Sequence, residues 1–139
     1  MNTTRLLNNL MVENVVDSLN FYISSLGFEL VMAVPEGTED IVYSLVEDQE
    51  YGFAVIKNGD VELMFQSLSS IKSEFPTINI DAASSRVIFY MQVIGIDELF
   101  ASLEGKVDIV KGLHEAFYGM KEFYIKDFDG YILGFAEKA

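Results

Sequence analysis

Apolar residues Val15, Val16, Leu19, Tyr22, Ile23 and Leu26 recur at three- and four-residue intervals, the spacing that lines one face of a helix. Asn14 stands at the N-cap position before them and Gly27 at the stop after them. Residues 6–12 upstream read as a short strand. Downstream, residues 28–34, 41–46, 51–56 and 61–65 read as strands, broken by a turn at 35–40 and an acidic bend at Glu47, Asp48 and Glu50. Asn58-Gly59 between the last two is a strong hairpin signal.

Ser, Asn, Asp and Pro76 accumulate over residues 67–85, with one short helical stretch at 68–75, as suits a linker. The earlier order then starts again. Residues 86–93 predict a strand, 96–103 a helix closed by Gly105, and 107–110, 123–126 and 131–136 three further strands. Asp127-Phe128-Asp129-Gly130 is a turn in which Gly130 can supply a positive φ. Placing Leu10-Met11-Val12 on Met91-Gln92-Val93 brings Asn14 opposite Gly95, and both positions open helices. The chain therefore reads as a duplicated strand–helix–strand–strand–strand unit, recognisable by order of elements more than by identity. The expected modules are residues 5–66 and 86–137 of one 139-residue domain.

Half of the residues are hydrophobic and 13% aromatic, enough for a packed core. Lys and Arg total 9 against 22 Asp and Glu, a formal charge of −13 that disfavours nucleic acid as a partner. With no cysteine, disulfides, thiolate nucleophiles and thiolate metal sites are excluded. No apolar run approaches the roughly 20 residues that span a bilayer. The first ten residues lack the basic start and apolar stretch of a secretion signal, so a cytoplasmic location is the expectation.

Two segments carry a family likeness: residues 10–22 (LMVENVVDSLNFY) with 26–29 (LGFE), and residues 118–133 (YGMKEFYIKDFDGYIL). They resemble the glyoxalase/bleomycin-resistance/dioxygenase superfamily, the vicinal oxygen chelate proteins, with Asn14 in place of an Asp and Phe128 in place of a Pro. Residues 58–65 (NGDVELMF) resemble the fourth strand of that family's first module. The resemblance implies an α+β fold of two tandem βαβββ modules, whose curved mixed sheets form a groove, and a homodimer.

Enzymes of that superfamily hold a divalent ion through His, Gln or Glu, one from each of four strands. The resemblance puts these positions at Leu7, Glu62, Ile88 and Gly134, three of which cannot ligate. A shift of register offers only Asn8, Asn9, Gln92 or Glu137. The expectation is therefore no metal and no cofactor. It favours a binding protein over an enzyme, with a metal-dependent glyoxalase-like lyase or dioxygenase as the alternative. The metal-free branch resembles bleomycin-resistance proteins, which sequester a large cationic antibiotic between subunits. A third reading gives the same groove a cell metabolite or a protein partner.

Strand alternation puts Leu7, Asn9 and Met11, Glu62 and Met64, Ile88, Tyr90 and Gln92, and Ile132, Gly134 and Ala136 on the expected concave side. Glu62 on such a face needs either a cationic ligand or an internal partner. His114, the single histidine, has no nucleophile at a defined spacing and is expected in a loop with Phe117 and Tyr118. Candidate ligand contacts are Glu62, Met64, Tyr90, Gln92, Phe117, Tyr118 and Tyr124; a bleomycin-type antibiotic is the candidate ligand.

Overall fold

The computed structural model describes residues 1–2, 4–74, 76 and 87–139. The chain divides into two compact units, residues 1–81 and 82–139. In the first, β1 (Asn8–Val12) leads to α1 (Val15–Leu26), then β2 (Glu29–Pro35), β3 (Tyr51–Asn58), β4 (Val61–Ser67) and α2 (Leu68–Glu74). The second contains β5 (Ile88–Gln92), α3 (Ile96–Leu103), β6 (Asp108–Glu115), β7 (Met120–Lys126) and β8 (Ile132–Lys138). The sheet orders are β1-β4-β3-β2 and β5-β8-β7-β6, each with one parallel pair at the edge and antiparallel pairs elsewhere. These are the two tandem βαβββ modules of the α+β fold expected from the sequence.

Helix α1 forms where the apolar spacing put it and turns Val15, Leu19, Tyr22 and Leu26 inward. Asn14 accepts a hydrogen bond from the backbone N–H of Asp17 at 3.0 Å, satisfying one of the open donors of the first turn. Gly27 closes the helix at φ +71°, a left-handed conformation that costs glycine little. Asn58, at the hairpin corner, donates its side-chain amide to the carbonyls of Leu26 at 3.3 Å and Gly27 at 3.2 Å. The hairpin residue thus also ties down the helix end. Against α1 the sheet presents Leu10, Val12, Ala54, Ile56, Leu63 and Phe65, all buried. The Tyr22 ring meets Phe65 at 5.0 Å and Phe28 edge-on at 5.6 Å between centroids.

In the second unit α3 turns Ile96 and Leu103 onto Phe123, Ile125, Leu133 and Phe135. Phe123 stacks on Phe135 and takes the edge of Phe100, both at 5.1 Å. Gly95, at the N-cap position of α3, has φ +82° and no side chain to cap with. Glu137 of β8 substitutes, accepting from the N–H groups of Gly95 at 3.1 Å and Ile96 at 3.0 Å. These two backbone hydrogen bonds hold the Glu137 carboxyl below its ordinary pKa.

Several boundaries differ from the sequence reading. Residues 41–46 form no strand: only Val42 pairs, through a bridge to Ala33. The N–H of Val46 donates to the Tyr51 hydroxyl at 2.9 Å instead of to a neighbouring strand, and Ile41, Tyr43 and Val46 are exposed. Strand β1 starts at Asn8, so Leu7 lies before it. Helix α3 ends at Leu103 with Glu104, not Gly105, at its C-cap; Gly105 follows at φ +79°. Strands β6 and β7 are longer than expected, which takes His114 out of the loop and into β6. Of the expected linker, residues 68–74 are helical, while 77–85 lie outside the described residues, as do Phe75 and Arg86. Among the described residues no helix is long and apolar enough to cross a membrane.

Phe65 is fully buried at the centre of the first unit. Phe65→Ala is expected to lower unfolding free energy by about 3–5 kcal/mol, whereas Val61→Ala on the exposed side should change it by less than about 0.5 kcal/mol. Urea denaturation followed by circular dichroism measures both.

Candidate functional site

Phe123 and Ile125 of β7 face the helix, so strand alternation sends Glu122 and Tyr124 to the opposite face. Sheet register brings four more residues beside them. Glu122 pairs with Ala136 of β8 and with His114 of β6. Gly134 lies between Tyr124 on one side and Tyr90 of β5 on the other. The turn joining β6 to β7 is closed by hydrogen bonds from Ala116 N–H to Met120 at 2.7 Å and from Gly119 N–H to Ala116 at 3.0 Å. It folds Tyr118 back toward β7.

The outcome is a carboxylate at the centre of a ring of donors. Glu122 is only 3% exposed. Its Oε2 accepts from the Tyr90 hydroxyl at 2.8 Å, and its Oε1 from the hydroxyls of Tyr118 at 2.6 Å and Tyr124 at 3.3 Å. His114 Nε2 lies 3.2 Å from Oε1, and its Nδ1 lies 2.8 Å from the Gly112 carbonyl oxygen. Both neighbours of the imidazole are acceptors, so a protonated ring serves both and a neutral ring only one. A buried carboxylate carries a desolvation cost of several kcal/mol unless donors surround it. Four donor groups converging on roughly four lone-pair positions offset that cost.

Burial pushes the Glu122 carboxyl upward, but the hydrogen bonds from Tyr118, Tyr90, His114 and Tyr124 outweigh it and hold the pKa below the ordinary value. The phenols move the other way. Tyr118 is raised chiefly by its hydrogen bond to Glu122, while Tyr90 and Tyr124 are raised first by desolvation and then by the same carboxylate. All three hydroxyls therefore keep their protons at neutral pH.

Gly134 is what lets the rings assemble. A Cβ there would sit 2.6 Å from Tyr124 Cε1 and 3.2 Å from Tyr90 Cδ2, inside contact distance of both rings. The Tyr90 and Tyr124 centroids are 6.4 Å apart, and His114 stacks on Tyr124 at 6.5 Å with 20° between planes.

Tyr90, Tyr118 and Tyr124, three of the seven expected contact residues, meet at this cluster. Gln92 lies exposed on β5 opposite Ala136, and Phe117 is exposed with its ring against Tyr118 at 5.1 Å. Glu62 and Met64 belong to the other unit. Met64 pairs with Asn9 of β1, and Glu62 is bonded to Arg5. Sequence reasoning missed Glu122 and put His114 in a loop because it began the strand at Phe123. Extending the alternation of Phe123 and Ile125 back one residue would have exposed Glu122 beside Tyr124.

The four positions that the family resemblance marks for metal ligands do not fit a metal here. Leu7, Ile88 and Gly134 bear no donor, the rings of Tyr90 and Tyr124 lie over Gly134, and Glu62 is engaged by Arg5. Among the described residues no three His, Asp or Glu side chains come close enough to share an ion. A separate cavity of about 110 Å³ in the first unit is lined by Glu13, Glu36, Glu50, Tyr51 and Ser67 among others, and holds none of the expected contact residues. Its Glu36 is occupied by the Ser67 hydroxyl at 2.8 Å.

A sheet of this order, duplicated, with the helix on one face and a polar cluster on the other, defines the vicinal oxygen chelate class of fold. The family model of the Glyoxalase/Bleomycin resistance protein/Dioxygenase superfamily matches residues 5–135, and the chain belongs to that superfamily. No curated protein matches the sequence. Among solved structures, TioX from Micromonospora sp. ML1 superimposes with a TM-score of 0.73 at 17% identity, over 99% of this chain and 100% of that one. A lactoylglutathione lyase from Agrobacterium tumefaciens gives 0.67 at 15% identity, over 98% and 94%. The bleomycin-binding protein from Streptomyces verticillus, solved with copper(II)-bleomycin, gives 0.60 at 17% identity, over 97% and 96%. Likenesses at such identities establish the fold.

Because the folded pKa of Glu122 is depressed, its ionised form stabilises the fold above the ordinary carboxyl value of 4.5, and that stability is lost as pH falls below it. Unfolding free energy measured from pH 6 to pH 3 should therefore fall less steeply in Glu122→Gln than in the wild type. Gly134→Ala is expected to cost about 1–3 kcal/mol and to alter the near-ultraviolet dichroism of the tyrosines, since the Tyr124 ring must swing aside.

Proposed function

We propose that this chain is a metal-free small-molecule binding protein that sequesters a cationic or aromatic ligand, such as a bleomycin-type antibiotic. Its ligand lies against the tyrosine face of the second unit. It acts in the cytoplasm as a homodimer, the arrangement that family resemblance implies. The observation that carries this reading is the cluster of Tyr90, Tyr118 and Tyr124 around Glu122, an aromatic surface backed by a buried carboxylate. Half-exposed rings of this kind stack on flat heteroaromatic groups and attract cations. The formal charge of −13 steers cationic ligands toward the chain. The Streptomyces verticillus protein of the same fold, solved with copper(II)-bleomycin, supplies the candidate ligand.

The test is calorimetric titration of chelator-treated protein with metal-free bleomycin. Binding with a Kd of about 1 μM or tighter, near −8 kcal/mol, is expected, with weakening of about tenfold or more in Tyr90→Ala. Heats no larger than dilution would overturn the antibiotic reading.

A further inference from the structure

The polarity of the tyrosine cluster narrows the ligand class further, within the small-molecule reading just given. Each of the three hydroxyls spends its single proton on Glu122, at 2.8, 2.6 and 3.3 Å. What a phenol retains after donating is acceptor capacity on its oxygen and the negative face of its ring. Glu122 itself is 3% exposed and accepts from three hydroxyls, with His114 Nε2 3.2 Å from Oε1, so it offers no free oxygen to a ligand. His114 is turned inward, with one nitrogen toward Gly112 and the other toward Glu122. The cluster therefore presents no spare donor. Tyr90 is 44% and Tyr118 52% exposed, so part of each phenol faces outward.

We propose that the Tyr90–Tyr118–Tyr124 cluster is a subsite for an organic cation bearing N–H groups, an alkylammonium, amidinium or guanidinium head. Such a head donates to the phenol oxygens while its charge rests over the rings. A carboxylate or phosphate finds no donor there and meets the Glu122 charge. Gly134 is the positioning residue, because any side chain at that position displaces the rings of Tyr90 and Tyr124.

The probes are benzamidinium and its anionic counterpart of similar shape, benzoate, each titrated into protein with ¹³C-labelled tyrosine and followed by NMR. Benzamidinium should shift the Tyr90, Tyr118 and Tyr124 ring signals saturably, and benzoate should leave them unmoved. Tyr118→Phe keeps an exposed ring and removes one oxygen; it should weaken benzamidinium about threefold or more while leaving thermal unfolding cooperative. Tyr90→Leu should weaken it about tenfold. Equal shifts by the two probes, undiminished binding in both variants, or saturable benzamidinium shifts confined to other tyrosines would overturn the subsite. Bleomycin binding without a benzamidinium response removes the subsite and leaves the sequestration reading standing. A benzamidinium response without bleomycin binding does the reverse.

Discussion

A buried carboxylate needs donors on every side, and Glu122 determines how the open face of the second sheet is built. One carboxyl oxygen takes Tyr90 from the edge strand; the other takes Tyr118 from a turn and Tyr124 from its own strand, with His114 nearby on β6. Four separate points of the chain are thus drawn to one group. Removing any donor leaves part of a buried charge uncompensated, and removing the charge leaves three phenols without their acceptor. The depressed pKa of Glu122 and the raised pKa values of the three tyrosines are two views of this mutual dependence.

The two modules share one blueprint and use it differently. Register pairs Asn9 with Met64 in the first sheet and Tyr90 with Gly134 in the second, and it pairs Phe53 with Gln66 where the second has Glu122 with Ala136. The first unit therefore carries larger residues at the central positions, Met64 and Gln66. There the buried Gln66 amide is satisfied internally, accepting from Asn9 at 2.9 Å and donating to Ser70 at 3.0 Å and Glu74 at 2.8 Å. In the second unit Gly134 and Ala136 leave room for rings above the sheet. Helix capping diverges in the same way: Asn14 caps α1 from within its own segment, whereas α3 borrows Glu137 from a strand about forty residues away in sequence.

The family resemblance marks Gly134 as a metal-ligand position, and the rings of Tyr90 and Tyr124 lie over it here. A ligating side chain at that position and the two tyrosine rings cannot occupy the same volume. The rings of Tyr90 and Tyr124, 6.4 Å apart, make that part of the second sheet an aromatic surface.

Local patterns were sufficient for the fold. The spacing of Val15, Leu19, Tyr22 and Leu26, the caps Asn14 and Gly27, and the Asn58-Gly59 hairpin each encode their own geometry within a few residues, and the order of such elements revealed the duplication. Strand alternation also marked Tyr90 as a candidate, and the family resemblance marked Tyr118 and Tyr124. Residues 41–46 misled for the reverse reason: they are apolar and strand-like, yet no neighbouring strand offers them a ladder beyond Val42. Glu122 was within reach of the Phe123 and Ile125 alternation, but its pairing with His114 lies in the β6–β7 register, which no strand period records. Residue type and order carried the two βαβββ modules, since spacings, caps and hairpins are local matters. Only the tertiary structure decided which polar groups meet, because a hydrogen-bonded cluster is a property of distance between strands.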